Sequence, residues 1–182
     1  NDGRYISRFG KGLLSNIVRE DDEGEAMSKN VIVCPGAVTD RLKREWGIGE
    51  VWNNIVLPRF QRMNTLTGTE KFTSVSSSGH TIPDMPLELQ KGFNKKRIDH
   101  RHHAMDAIVI ACTTREHVNL LSNEAAANDN KNRYQLSRKL RRYEDITVMR
   151  NGESRTMSVA KEFFMPWPAF PKDVERALRD II

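Results

Sequence analysis

The chain has 182 residues, a formal net charge of +5, 38% hydrophobic and 29% charged residues, and a mean hydropathy of −0.61. That length fits one domain or slightly more, and the composition is too apolar for a disordered chain and too polar for a membrane protein. No stretch approaches the ~20 apolar residues of a membrane-spanning helix, Asn1-Asp2-Gly3-Arg4 lacks a signal peptide's apolar core, and Cys34 and Cys112 have no zinc or disulfide-framework spacing, which argues for a reducing cytoplasm.

Arg4 to Val18 reads as an amphipathic helix, with Tyr5, Ile6, Phe9, Leu13, Leu14 and Ile17 recurring at three- and four-residue spacing. The acidic stretch Asp21-Asp22-Glu23-Gly24-Glu25 ends it, and Val31-Ile32-Val33-Cys34 is expected as a short buried strand closed by Pro35-Gly36. Thr39 is placed to cap a helix from Asp40 to Trp46, with Gly47 just past its end. Val51 to Met63 is apolar at helical spacing but broken at Pro58. Thr65 to Gly92 is rich in Ser, Thr, Gly and Pro and predicts a long loop or a short hairpin. Periodicity returns at His102 and lasts to about Leu121. A basic helix, Asn132 to Tyr143, follows. Ile146–Met149 and Thr156–Val159 then flank Asn151-Gly152 as a hairpin, and Pro171 opens a last helix to Ile182. The chain opens without Met and stops on an apolar helix face, so it is expected to be a piece of something larger.

Positive charge is concentrated in two places. Lys91 to His103 carries a local +4 through Lys91, Lys95, Lys96, Arg97 and Arg101 against Asp99, and Lys131 to Arg142 carries +6 with no acid. A single basic run is commonly a solvated helix face; two in a small domain favour a polyphosphate partner, with nucleic acid first. The candidate nucleic-acid contacts are Lys95, Lys96, Arg97, Arg101, Arg138, Lys139, Arg141 and Arg142.

The chemistry centres on Asp99-His100-Arg101-His102-His103-Ala104-Met105-Asp106 and the apolar run that continues to Cys112. A helix apolar on every side is expected to be buried, and a lone buried carboxylate needs a cation or donors to offset its desolvation. His103 falls three residues before Asp106, on the same helix face. The pair offers hard oxygens for a cation and an imidazole able to ligate a metal or move a proton near neutral pH. An isolated HxxD pair is more often structural, its aspartate paired with a nearby arginine or a helix N-terminus. Here the apolar run leaves Asp106 no expected surface. His100 and His102 are expected on other faces, where they would meet phosphate or solvent.

The segment from Asp99 to Ala111 resembles the third nuclease motif of the RuvC-like domain in type II CRISPR RNA-guided DNA endonucleases. Asn1 to Ser7 resembles the point where that family re-enters the domain after its HNH insertion. Gly36 to Gly47 resembles its strand-then-helix element, and Pro166-Trp167-Pro168-Ala169-Phe170 a recurrent feature near the domain's end. Four landmarks in family order cover nearly the whole chain.

The resemblance implies an α/β fold, a fragment of an RNase H-like (RuvC-like) nuclease domain, mostly helical with a few short strands. Residues 1–182 would be the C-terminal segment of that split domain: 1–20 the helix after the HNH insertion, 95–121 the HxxD helix, and 131–182 the domain's end. It further implies a metal-dependent hydrolysis that cuts the displaced DNA strand with two divalent ions, Mg²⁺ or Mn²⁺. Asp106 would be a metal-ligand aspartate, and His103 the histidine beside the metal that activates water. The partners implied are guide RNA and target DNA, bound through the whole protein, with base pairing reading the sequence. The family draws one aspartate and one glutamate from earlier segments, and neither has a match here, nor do the HNH nuclease, the guide-binding lobe or the PAM-reading domain. The fragment alone is therefore expected to be inactive. Two other readings stand beside this one: a free-standing metal-dependent phosphohydrolase with the histidine run as its centre, and a non-catalytic nucleic-acid-binding module.

Overall fold

The computed structural model describes residues 2–92, 98–123, 130–150 and 153–181. Its architecture is helix-rich, with eight helices and two antiparallel hairpins among those residues. Helix α1 (Asp2–Val18) follows the expected stripe, yet Tyr5, Ile6, Phe9, Leu13, Leu14 and Ile17 are all exposed. The loop after it folds back, Asn16 accepting from the Ala26 N–H at 2.7 Å and Asn30 donating to the Val18 carbonyl at 3.2 Å.

The strand expected at Val31–Cys34 does not form. The segment has no regular structure, and Ile32 and Val33 are substantially exposed. β-Branched residues favour a strand only where a ladder partner exists, and among the described residues none lies beside them. Helix α2 (Gly36–Glu45) starts earlier than expected, with Pro35 at the N-cap and its carbonyl accepting from Val38 and Thr39. Thr39 lies inside the helix, its hydroxyl turned back to the same carbonyl. Gly47 is left-handed at φ 71°, as a residue past a helix end should be, and it also serves as the N-cap of α3 (Ile48–Thr67).

Pro58 does not break α3. Proline removes one intrahelical bond, and the carbonyl it frees, that of Asn54, belongs to an exposed residue that water can serve. The buried stripe Ile48, Val51, Trp52, Ile55, Val56 and Phe60 carries the helix across the break. The polar stretch beyond contains the hairpin of β1 (Thr73–Val75) and β2 (Thr81–Pro83), then a single turn, α4 (Leu87–Gln90).

The periodic segment from His102 divides into α5 (Arg101–Cys112) and α6 (Arg115–Asn123), separated at Thr113 and Thr114. Helix α7 (Asn130–Leu140) gives way at Arg141 to a long hairpin of β3 (Arg141–Arg150) and β4 (Glu153–Phe163). Arg141 and Arg142 thus begin a strand and do not extend the basic helix. The hairpin register pairs Ile146 with Met157 and Met149 with Ser154, while the Asn151-Gly152 turn lies outside the described residues. Helix α8 (Phe170–Asp180) carries Pro171 in its first turn and buries Phe170, Val174 and Leu178 at four-residue spacing; Ile181 stays exposed.

The core gathers α2, α3, α5 and α8 around Leu42, Trp46, Ile48, Val56, Phe60, Val109 and Leu178. Trp46 sits at its centre. Its ring meets Phe170 and His117 edge-on, and its indole N–H donates to the Phe164 carbonyl at 3.0 Å. This ties the end of α2 to the end of β4 and fixes the surface against which α5 packs.

Candidate active site

Helix α5 is anchored by Met105 and Val109, which enter the core against α2 and α8. Its other sides are more open than an all-round apolar helix should be. Ala107 and Ala111 are exposed and Ile110 is 50% exposed. Asp106 is accordingly not sealed in, its side chain being 35% exposed. This corrects the expectation of a fully buried carboxylate: an apolar helix is buried only on the sides where another surface meets it, and among the described residues α5 is met on one side.

The buried carboxylate is Asp99, at 4% exposure. It accepts from the Arg101 main-chain N–H at 3.0 Å and from that guanidinium through Nε and Nη2, and Arg59 lies at 3.2 Å. These hydrogen bonds from Arg101, opposed by burial and reinforced by the charges of Arg101 and Arg59, hold its carboxyl below the usual aspartate range. Arg101 also donates to the Leu178 carbonyl at 3.1 Å, so it clasps the start of α5 to the end of α8. The guanidinium singled out as a nucleic-acid contact is therefore committed within the fold.

On this base stand three histidines. His102 Nδ1 lies 2.7 Å from the Asp99 carbonyl, which can only accept, so that nitrogen carries the proton of the bond, and the His102 ring meets Trp52 edge-on. The His102 and His103 rings lie 3.9 Å apart between centroids, and His100 stacks 6.1 Å from His103. The sequence placed His100 and His102 on other faces; the structure gathers all three rings at the first turn. His103 is exposed, and its ring nitrogens carry no hydrogen bond among the described residues.

Asp106 meets a partner the sequence did not suggest. Lys43, 63 positions earlier on α2, donates to Asp106 Oδ1 at 2.7 Å and lies 2.9 Å from Asp40 Oδ1. Burial pulls the Lys43 ammonium towards neutrality, but hydrogen bonds to Asp106 and Asp40, with their charges, more than reverse this and raise its pKa. Asp106 Oδ2 has no protein partner among the described residues. A signal for Lys43 was present: it lies four residues after Thr39 and beside Leu42, in the stripe that α2 turns inward.

The second basic run is divided by the strand boundary. Arg138 is exposed, bonded to the Tyr134 hydroxyl and stacked over Tyr134 and Tyr143. Lys139 reaches Glu116, and Arg142 pairs with Glu144 and Glu162. Arg141 is buried, its guanidinium 4.0 Å over the Phe163 ring and 3.6 Å from Glu45. It therefore faces the core, not an open basic surface. Lys95, Lys96 and Arg97 lie outside the described residues.

A carboxylate with one uncommitted oxygen and an exposed imidazole one turn away suit a share of a divalent-cation site. Among the described residues no group of three or more His, Cys, Asp or Glu is arranged to hold a metal ion, and no helix is long and apolar enough to cross a membrane. The family model of the RuvC endonuclease subdomain 3 matches residues 1–182, and the chain belongs to that family. RuvC nucleases are hydrolases that generally use divalent metals. Among curated proteins none matches the chain.

Proposed function

We propose that this chain is the third RuvC-like segment of a type II CRISPR RNA-guided DNA endonuclease, acting in prokaryotic antiviral defence. The assembled protein, with its guide RNA, earlier RuvC-like segments and HNH domain, would cut the displaced strand of target DNA within an RNase H-like fold. The observation that carries the reading is the placement, three residues apart on α5, of the exposed His103 and of Asp106, a carboxylate steadied from another helix by Lys43.

Asp106 and His103 would hold the ions together with carboxylates from earlier segments. Two Mg²⁺ or Mn²⁺ ions supply Lewis-acid stabilisation of the attacking and leaving oxygens of a phosphodiester. Within the chain, Asp106 offers Oδ2 as a hard oxygen. His103 is the group able to take a proton from an attacking water, and Asp99 fixes the turn on which it stands. Arg138, Lys139 and, on the preceding run, Lys95, Lys96 and Arg97 would bind phosphates, which carry no base identity.

The test is Asp106→Ala in the full-length nuclease. Cutting of the displaced strand should be abolished with DNA binding nearly intact, because the variant removes a metal ligand and no phosphate contact. His103→Ala should slow cutting by about 10²–10⁴-fold, the usual contribution of a general base. Cleavage of that strand by Asp106→Ala at the wild-type rate in Mg²⁺ refutes the assignment.

A further inference from the structure

Lysine is almost never buried unless it is paired, yet Lys43 is 9% exposed and lies in the apolar stripe of Val38, Leu42 and Trp46. Its ammonium has three protons to donate. Two are directed at carboxylates on different helices, Asp40 Oδ1 at 2.9 Å and Asp106 Oδ1 at 2.7 Å. Asp40 does not account for the burial. It is 61% exposed, well served by water, and an i,i+3 pair with it forms equally well on a helix surface. The contact that requires Lys43 to reach inward is the one across to α5.

We infer that Lys43 is a positioning residue for Asp106, a resident cation that aims the carboxylate and leaves it a single oxygen for a divalent ion. The inference rests on the reading of Asp106 as a metal ligand. Its logic is geometric. A carboxylate on a helix surface rotates freely about its side-chain bonds, and a charge-assisted hydrogen bond to a lysine whose stem is packed in the core removes that freedom. With Oδ1 engaged by the ammonium, Oδ2 is the oxygen left without a protein partner among the described residues, and a contact through one oxygen suits the octahedral demands of Mg²⁺. The ammonium also repels a second cation a few ångströms away, so Lys43 lowers ion affinity while it improves the geometry of what binds. A purely structural tie between α2 and α5 would repel the ion just as much, so what separates the two roles is the rate at saturating ion: it falls at an unchanged thermal midpoint only if Lys43 aims Asp106. An apolar side chain of similar length often replaces a buried pair without loss of stability.

The experiment uses the full-length nuclease with guide and target, comparing wild type with Lys43→Met, Lys43→Arg and Asp106→Asn. Mn²⁺ binding is followed by loss of the free-ion EPR signal, displaced-strand cleavage by single-turnover kinetics, and folding by the thermal midpoint. In Lys43→Met the half-saturating Mn²⁺ concentration should fall at least threefold, while the rate at saturating ion falls at least tenfold. Lys43→Arg, which keeps the charge, should return half-saturation to within twofold of wild type. If Lys43→Met does not fold, Lys43→Gln retains a donor to Asp106 without the charge, and half-saturation must still fall. Unchanged half-saturation in the neutral variants overturns the inference, and so does a rate at saturating ion that holds or that drops only together with the thermal midpoint. Wild-type cutting by Asp106→Asn would instead overturn the ligand reading beneath it, so the two failures are told apart.

Discussion

Replacing Asp99 by Ala removes the charge on which the first turn of α5 is built. Asp99 is 4% exposed and the Arg101 side chain 18%, so the variant strands a guanidinium that is nearly out of water. Removing one partner of a buried ion pair costs about 3–5 kcal/mol. Arg101 keeps its bond to the Leu178 carbonyl, which favours the lower end, and Arg59, about half exposed, adds less than about 1 kcal/mol. The working value is thus about 3 kcal/mol. For a chain of this size each kcal/mol moves the thermal midpoint by roughly 2–4 °C, so circular dichroism melts should show a fall of about 6–12 °C. Asp99→Asn preserves an acceptor for the Arg101 main-chain N–H and should lose about half as much. Acid provides an independent check. The folded carboxyl titrates below its ordinary 3.8, so the stabilisation is full above that value and is lost as pH falls through the lower folded one. The gap between wild type and Asp99→Ala should therefore be constant above about pH 4 and close in stronger acid. A fall of under 2 °C, or a gap that widens as the pH is lowered below 4, refutes the argument.

His117 lies between Trp46 and Phe163, and burial holds its pKa below the ordinary 6.5 against the charge of Glu116. Its contribution is full above pH 6.5 and is lost as pH falls through the lowered value; the midpoint should drop from pH 8 to pH 5 more steeply in wild type than in His117→Phe, and equal slopes would contradict this. In DNA binding by the full-length protein, Arg138→Gln with Lys139→Gln should reduce the log–log salt slope by about two, near one per phosphate contact. Arg141→Gln should leave the slope unchanged and lower the thermal midpoint, since its guanidinium packs on Phe163; the opposite pattern would show that Arg141 faces the nucleic acid.

Helices with a strong stripe were legible from sequence alone: α1, α8 and the Gly47 corner all follow from local spacing and backbone chemistry. The long hairpin was legible too, because Asn-Gly between alternating segments is a local signal. What failed required a neighbour. Val31–Cys34 has strand composition, but a strand exists only by pairing. The apolar run of α5 suggested complete burial, but a residue's environment depends on which surfaces meet the helix. Pro58 signalled a break that tertiary packing of α3 overrode. At the site, the HxxD spacing singles out His103 and Asp106 as candidates, while Lys43 lies 63 positions from its partner and no local pattern links them. In the sequence Asp99 is the one acid of a basic run and the first residue of the histidine motif; its place beneath the histidines emerges only from the fold.

If this chain contributes Asp106 to a nuclease site completed by other segments of the same enzyme, neither part should cut on its own. The most direct measurement is displaced-strand cleavage in Mg²⁺ by the purified 182-residue chain, by the separately produced remainder of the nuclease, and by the two mixed with guide RNA. Neither part alone should cut that strand, the mixture should cut it, and the mixture should fail when the chain carries Asp106→Ala. Robust cleavage by the chain alone that survives repurification and vanishes in Asp106→Ala would contradict this, as would a mixture that cuts the strand equally well without Asp106.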